Sequence, residues 1–267
     1  MYSLISAEEL IKIKAFVFKN WIMAKRNIFA IFEIIFWPLI SFLSVGLLSN
    51  FAGFSSYMKG FILIGVVAMS AIQVCQLDMA YVLLYDIWGK SLKHNFIAPI
   101  KPRHFLMGSM IIGIVRGISV FFILAFFSYT IFNFNIIVPN IISNIIFLVG
   151  IFLNAAIIGI LVSILVLIVG YRAEVAAWSI VSLMFLICGI YYPIHILPCW
   201  VQVLAKLFPL TYFLEYYRSF YGFKPTYANI LLKGYVLLFI YLSIELYLLD
   251  KALKRARIKG ILLKLSE

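Results

Sequence analysis

The sequence predicts an all-α polytopic membrane protein with six transmembrane helices, an N-terminal amphipathic interfacial helix, and an external re-entrant helical hairpin between spans five and six. Of its 267 residues, 65% are hydrophobic and 12% are charged, and the mean hydropathy is +1.11. A soluble domain is about 45–50% apolar and about 25% charged. The composition therefore excludes a cytosolic enzyme, a disordered chain and a secreted disulfide scaffold.

Residues 1–27 predict a cytoplasmic helix that lies in the membrane interface. Residues 6–9 have the S-x-x-E pattern of a capping box, which marks the start of a helix. Apolar residues such as Ile13 and Trp21 then recur on one helical face, with Lys19 on the opposite face. This segment is too polar to span a bilayer and suits an interfacial helix. A solvated helix that packs on another subunit is the alternative.

Six predicted spans follow, because each stretch has about 20 apolar residues, the number that crosses a bilayer. They cover residues 28–49, 61–85, 105–132, 141–170, 175–192 and 230–249. Residues 250–267 form a basic tail, and the whole chain, 1–267, reads as one transmembrane domain. Two shorter apolar pieces, 198–208 and 210–220, lie between the last two spans. Each has about half the length needed to span, which favours a re-entrant or interfacial hairpin.

The distribution of basic residues predicts the orientation. Outside the spans, sixteen Lys and Arg residues fall on one side of the membrane and four on the other. Basic loops stay in the cytoplasm, so both termini are expected there, in a multi-pass protein of the cell membrane. The formal net charge of +12 is explained by these loops beside anionic lipid, and no nucleic-acid partner is expected.

Candidate chemistry within the spans is sparse. The three histidines and three cysteines show no spacing typical of a metal site or a catalytic nucleophile, so no catalytic residue and no metal ligand is predicted. Asp78 and Arg116 lie deep within predicted spans, where a charge is costly. They suit an ion pair between helices, or alternatively part of a proton or ion relay. The spacing of Gly113 and Gly117 predicts close packing on another helix.

The loop between the second and third spans is a candidate docking element for a soluble partner. A short polar stretch leads to a proline turn there, and its candidate residues are Asp86, Lys90, Leu92, Lys93, Phe96 and Pro99. An ordinary basic loop beside anionic lipid is the alternative.

The stretch between the fifth and sixth spans contains the external hairpin. Its candidate residues are Pro193, Pro198, Trp200, Pro209, Tyr212, Glu215 and Arg218. Pro198 and Pro209 should start the two helical pieces, because proline fits the first turn of a helix. Glu215 and Arg218 are three residues apart, which predicts an ion pair on one helical face, with a solvated pair as the alternative.

The same stretch resembles the ABC-2 permeases, the membrane subunits of one class of ATP-driven exporters. The resemblance rests on Gly189 and aromatic residues before Pro193, on Pro198 with Trp200, on the "PLTY" run from Pro209, and on the acid and arginine that follow. The Pro-x-x-Pro pattern at 99–102 is similar to the cytoplasmic segment before the third span of that family. Lys93 departs from the pattern, which would have an acid there.

The resemblance implies a homo- or heterodimer of six-span subunits, each resting on a separate ABC ATP-binding subunit. That subunit would bind ATP and Mg, so no cofactor and no enzymatic activity is expected of this chain. Residues 86–101 would contain the coupling helix, and the external hairpin would form the outer lid. The implied function is export of a lipid, a lipid-linked glycan or a hydrophobic compound. An ion-gradient-driven secondary transporter or channel is the alternative, and a non-transporting membrane scaffold is a third.

Overall fold

The computed structural model describes residues 7–26, 28–91 and 100–258, and these form α-helices, turns and loops without a β-strand. In chain order the α-helices are α1 Ala7–Arg26, α2 Ile28–Phe51, α3 Ser56–Trp88, α4 Pro102–Phe132, α5 Ile141–Val169, α6 Glu174–Ile187, α7 Cys199–Ala205, α8 Pro209–Ser219 and α9 Ile230–Ile258. Short 3₁₀ turns lie at Gly170–Ala173 and Ile194–Ile196. The all-α prediction is confirmed for the described residues.

Helix α3 is the centre of the fold, and it packs against α2, α4, α5, α6 and α8. Glycines let α4 approach it closely. A methyl group at Gly113 would lie 2.9 Å from the Cys75 carbonyl oxygen, and one at Gly117 would lie 2.9 Å from that of Ala71. The predicted small-residue packing face therefore exists, and α3 is the helix that it contacts.

Five stretches are long and apolar enough to cross a membrane: Ile34–Phe51, Ser56–Trp88, Arg103–Phe132, Ile141–Ile187 and Ile230–Ala256. The fourth stretch contains both α5 and α6. Its helical course is broken at Gly170, whose φ of +82° is a backbone conformation that residues with a Cβ rarely adopt.

The chain reverses direction at this turn, as contacts with α3 show. In α5, Phe152 meets Gly117 beside Ala71, and Gly159 meets Met79, so α5 runs parallel to α3. Tyr81 donates a hydrogen bond to Glu174 at the start of α6 over 3.3 Å. One turn later, the Ala177 carbonyl accepts a bond from Gln76, which precedes Tyr81 in α3, over 3.2 Å. Helix α6 therefore runs antiparallel to α3, away from the turn at Gly170.

Several helix ends differ from the prediction. Helix α6 has 14 residues, about 21 Å at 1.5 Å per residue, which is shorter than a hydrocarbon core of about 30 Å. It ends at Ile187 rather than at residue 192, because the chain turns at Gly189 with a φ of +69°. Helix α9 continues to Ile258, so the expected boundary of the tail at residue 250 falls inside a helix.

The N-terminal helix packs on the rest of the protein along the side that holds Ile13 and Phe16. Ile13 and Phe16 are buried, and Phe16 contacts Phe105 of α4 edge to face. Trp21 is 53% exposed, although its spacing placed it on the same face as Ile13. A side chain that faces lipid can be as apolar as one in the core, so apolar periodicity alone could not identify the packed face.

Candidate functional site

The ion pairs of α1 lie at the C-terminal end of α3 and the N-terminal end of α4. We call these residues the polar clamp: Glu9, Lys19, Asp86, Lys101, Arg103 and His104. Lys19 of α1 pairs with Asp86 in the last turn of α3. Ser91 also donates a hydrogen bond to the Asp86 carboxylate over 2.9 Å. The side chain of Asp86 is 5% exposed, so this contact holds a nearly buried carboxylate.

The other half of the polar clamp centres on Glu9. Its carboxylate pairs with Arg103 at the start of α4, with Lys101 at 3.6 Å, and with His104 Nε2 at 3.4 Å. Hydrogen bonding to Arg103 is the main cause that lowers the pKa of Glu9 to about 2. Glu9 is therefore ionised at all physiological pH values.

His104 supports the same end of α4. Its Nδ1 accepts a hydrogen bond from the Lys101 backbone N–H over 3.1 Å, which satisfies a donor at the helix N-terminus. In the neutral ring the proton then resides on Nε2, the atom that faces Glu9. The ring is fully buried.

The polar clamp brackets the predicted docking loop. Asp86 precedes this loop and Lys101 follows it, and each is tied to α1. Lys90 lies in the turn after α3 with a φ of +52°. The remaining candidates of the loop, Leu92, Lys93, Phe96 and Pro99, lie outside the described residues. Sequence reasoning included Asp86 but missed its partner Lys19, and it missed Glu9, Arg103 and His104, because the contacts join segments that are far apart in the chain.

At the opposite end of α3, Arg218 joins three segments, and we call this contact set the arginine joint. The side chain is buried. It donates to the Gly189 carbonyl over 2.6 Å, to the Ile190 carbonyl over 2.8 Å, and to the Phe61 carbonyl from Nε at 3.2 Å and Nη2 at 2.9 Å. The guanidinium also lies 3.4 Å from the centre of the Phe61 ring, a cation–π contact.

Glu215 and Arg218, predicted as an ion pair, each make their hydrogen bonds to backbone groups. Glu215 accepts hydrogen bonds from the backbone amides of Thr226 at 3.1 Å and Tyr227 at 3.4 Å, while the donors of Arg218 are directed at carbonyls. Burial raises the pKa of Glu215, and the bonds from Thr226 and Tyr227 and the charge of Arg218 oppose that rise. Three-residue spacing allowed the pair, but segments distant in sequence offered better-placed partners.

The other residues of the predicted hairpin have structural positions. Pro198 is the N-cap of α7 and Pro209 is the first residue of α8, so both helix starts are confirmed. Tyr212 is buried and donates to the Lys206 carbonyl over 2.9 Å, which closes the turn between the two helices. Trp200 is 68% exposed. Pro193 is the N-cap of the 3₁₀ turn at Ile194–Ile196.

Asp78 and Arg116 form an ion pair between α3 and α4. Their side chains are 16% and 20% exposed, and one carboxylate oxygen of Asp78 has no hydrogen-bond partner in the described part of the chain. The two opposite charges neutralise each other, as expected of a pair that stabilises helix packing. Across residues 7–26, 28–91 and 100–258, no cluster of His, Cys, Asp and Glu could hold a metal ion.

Comparisons with known proteins agree with this arrangement. One relative, an uncharacterized protein from Archaeoglobus fulgidus, is 50% identical over 42 residues, which is 16% of this chain and 66% of the relative. The family model of the ABC-2 type transporter matches residues 11–221. That range begins in the second turn of α1 and includes every residue of the polar clamp except Glu9, the central helices and the whole arginine joint. The chain therefore belongs to the ABC-2 type transporter family, whose members are membrane components of transport systems.

Proposed function

We propose that this chain is the permease subunit of an ATP-driven exporter, which moves a lipid, a lipid-linked glycan or a hydrophobic compound out of the cytoplasm. A separate ATP-binding subunit would bind ATP and Mg and would hydrolyse the nucleotide. Two permease subunits, identical or different, would form the path in the cell membrane.

In this proposal the chain crosses the membrane six times with both termini in the cytoplasm. The reversal at Gly170 supports counting α5 and α6 as two spans. The excess of Lys and Arg at the polar-clamp end supports placing that end in the cytoplasm. Helix α1 would then lie in the cytoplasmic interface, and α7 and α8 would enter the membrane from outside without crossing it.

One observation carries the functional proposal: the polar clamp ties α1 to both ends of the loop 86–101. Lys19 and Glu9 are ten residues apart, about 15 Å along a helix, and they hold Asp86 and Arg103 on either side of the loop. A partner that displaces this loop would therefore also act on α1, α3 and α4. Such an arrangement suits a permease that is moved by a soluble ATPase, since binding and release of nucleotide can shift it between two states.

The test is to co-express the chain with its ATP-binding subunit and to measure co-purification and permease-stimulated ATP hydrolysis. Lys19→Glu places a negative charge against Asp86 and should lower the stimulated hydrolysis, while the protein remains folded in the membrane. Lys14→Glu makes the same change at an exposed position of α1 and should have no effect. Combining Lys19→Glu with Asp86→Lys should restore part of the loss. Unchanged hydrolysis in Lys19→Glu would contradict the proposed coupling.

The ion-gradient alternative makes a different prediction. One carboxylate oxygen of the buried Glu245 in α9 has no hydrogen-bond partner in the described part of the chain, which is the observation that favours an ion-coupled mechanism. Transport in vesicles that lack the ATP-binding subunit, abolished by a protonophore and by Glu245→Gln, would establish this alternative. Transport that requires the ATP-binding subunit and survives Glu245→Gln would exclude it.

A further inference from the structure

A cavity of about 700 Å³ lies at the N-terminal end of α3, beside the arginine joint. It is enclosed by α3, by the segment after α6, and by the chain around and after α8. Its volume falls within the range of about 300–1,000 Å³ that is usual for small-molecule sites. We call it the aromatic cavity, because its walls include Tyr57, Phe61, Tyr191, Tyr192 and Phe223.

The aromatic wall is organised by contacts within the protein. Tyr57 of α3 stacks on Phe223, with ring centres 3.9 Å apart, and its hydroxyl donates to the Gly222 carbonyl over 3.3 Å. The hydroxyl of Tyr192 donates to the Leu186 carbonyl over 2.7 Å. These contacts hold the rings in the lining of the cavity. Such a wall suits the apolar body of a ligand.

The charges that line the cavity are not equally available to a ligand. The carboxylate of Glu215 accepts two backbone amides, and the guanidinium of Arg218 is directed at three carbonyls. Lys224 is exposed, and among the described residues its ammonium has no hydrogen-bond or ion-pair partner. His195, also exposed, lies in the same lining.

The balance of charge favours an anion. Glu215, Arg218 and Lys224 together give the lining a formal charge of one positive unit. Glu215 is also the one acidic residue at this end of the helices within the described ranges. Lys224 would repel a cationic ligand. A fully apolar ligand would leave the Lys224 ammonium without a partner.

We infer that the aromatic cavity binds one anionic amphiphile, with its apolar body against the aromatic wall and its carboxylate or phosphate head at Lys224 near His195. Binding of this kind needs no nucleotide and no second subunit, so it stands independently of the proposed export. The same chemistry describes a phospholipid taken from the surrounding bilayer and an amphiphile delivered by transport.

The experiment uses the purified full chain in nanodiscs of phosphatidylcholine, with palmitic acid that bears a photoactivatable diazirine as the anionic probe. Its methyl ester is the matched neutral probe. Mass spectrometry of proteolytic fragments should place the crosslinks at residues 188–196 and 222–226, with the acid labelled more strongly than the ester. Crosslinks spread over the lipid-facing helices, without enrichment in these segments, would overturn the inference.

Two pairs of variants test the apolar body and the head separately. Met58→Trp narrows the cavity that Met58 lines and should weaken labelling by both probes, whereas Met107→Trp, at an exposed position of α4, should change neither. Pro225→Trp, also in the lining, serves as a second narrowing variant if Met58→Trp fails to fold. Unchanged labelling by both probes in folded Met58→Trp and Pro225→Trp would overturn the inference.

Lys224→Glu should weaken competition by unlabelled palmitate about tenfold, because one attraction is replaced by one repulsion at close range, and should leave the ester unaffected. Lys59→Glu makes the same change at the same end of α3 outside the cavity lining and should alter neither the palmitate competition nor the labelling by the ester. If Lys224→Glu and Lys59→Glu weaken the competition by palmitate equally, the head group does not lie at Lys224.

Native mass spectrometry identifies whether the amphiphile in the cavity comes from the bilayer or from transport. An anionic phospholipid retained by the wild type through purification and reduced in Met58→Trp would support the inference with the bilayer as the source. Palmitate binding without a retained phospholipid would support it with a delivered amphiphile as the source.

Discussion

Arg218→Met removes the side chain that joins α3, the segment after α6, and α8. Methionine keeps an apolar stem of similar reach but donates no hydrogen bond. Within the described chain, the carbonyls of Gly189 and Ile190 accept no backbone hydrogen bond outside the helices, so Arg218 is their partner. The Phe61 carbonyl belongs to the helical ladder of α3 and is affected less.

The magnitude follows from those two carbonyls. Each buried acceptor left without a donor costs about 1–3 kcal/mol, so two cost about 2–6 kcal/mol. Part of this loss is offset because the variant no longer buries a charged guanidinium. We expect a net loss near 3 kcal/mol in the free energy of unfolding. In a protein of this size about 1 kcal/mol shifts the Tm by about 2–4 °C, so the Tm should fall by roughly 10 °C.

The assay is thermal unfolding of the purified protein in detergent, followed by the fraction that remains monodisperse on size-exclusion chromatography. Glu215→Gln is the matched control on α8. Its amide oxygen can still accept from Thr226 and Tyr227, and the Tm should stay close to that of the wild type. An ion pair between Glu215 and Arg218 would instead make the two variants similarly unstable.

Gly65→Ala perturbs the same joint from α3. Alanine normally stabilises a helix relative to glycine by about 1 kcal/mol. Here its methyl group would lie 2.5 Å from Arg218 Nη2 and closer still to the Ile190 carbonyl oxygen, so the substitution should destabilise. If Arg218→Met and Gly65→Ala both unfold at the wild-type temperature, the arginine joint does not stabilise the fold.

Three further predictions concern other parts of the chain. An impermeant thiol reagent applied to intact cells should label the exposed Cys199 and spare the buried Cys75 and Cys188. Cysteines introduced at Ser3 or Ser266 of a cysteine-free variant should be protected, and labelling at either terminus would refute a cytoplasmic location. Asp78→Leu and Arg116→Leu should each lower the free energy of unfolding by about 3 kcal/mol, because each leaves one charge unpaired. The double variant should lose less stability than either single variant, and additive losses in thermal unfolding would show that the two residues are not coupled. The pKa of Glu9 is lowered to about 2 from 4.5, so its contribution to stability is complete above about pH 4.5 and is lost as the pH falls toward 2. Glu9→Gln should flatten this part of the curve of Tm against pH, and identical curves for variant and wild type would contradict a stabilising role of ionised Glu9.

The sequence allowed good prediction of features that depend on local composition. Apolar length located the long apolar helices, and the restrictions on proline located the starts of α7 and α8. Asp78 and Arg116 carry opposite charges deep within predicted spans. Their contact was suggested by the sequence, because an isolated charge in hydrocarbon is costly.

Features that depend on distant partners were not predictable in the same way. The Phe61 carbonyl is 157 residues from Arg218 in the chain, and Asp86 is 67 residues from Lys19. Local spacing suggested Glu215 as the partner of Arg218 and placed Lys19 on a solvated face. Gly65 and Gly189 were the available signals for the arginine joint, since a close approach and a positive φ both require glycine, but the sequence does not say what approaches them.

Helix α3 has a mechanical consequence. It contains no proline between Ser56 and Trp88, so it lacks the commonest cause of a kink and should behave as a stiff rod. Phe61 near one end accepts the bonds of Arg218, and Asp86 near the other pairs with Lys19, at a separation of about 37 Å along the axis. If the rod pivots at Phe61, a tilt of about 5° displaces Asp86 by about 3 Å, roughly the length of one hydrogen bond. A movement of about 3 Å at the Lys19–Asp86 contact would thus need only a small tilt about the arginine joint, without any change within the helix itself.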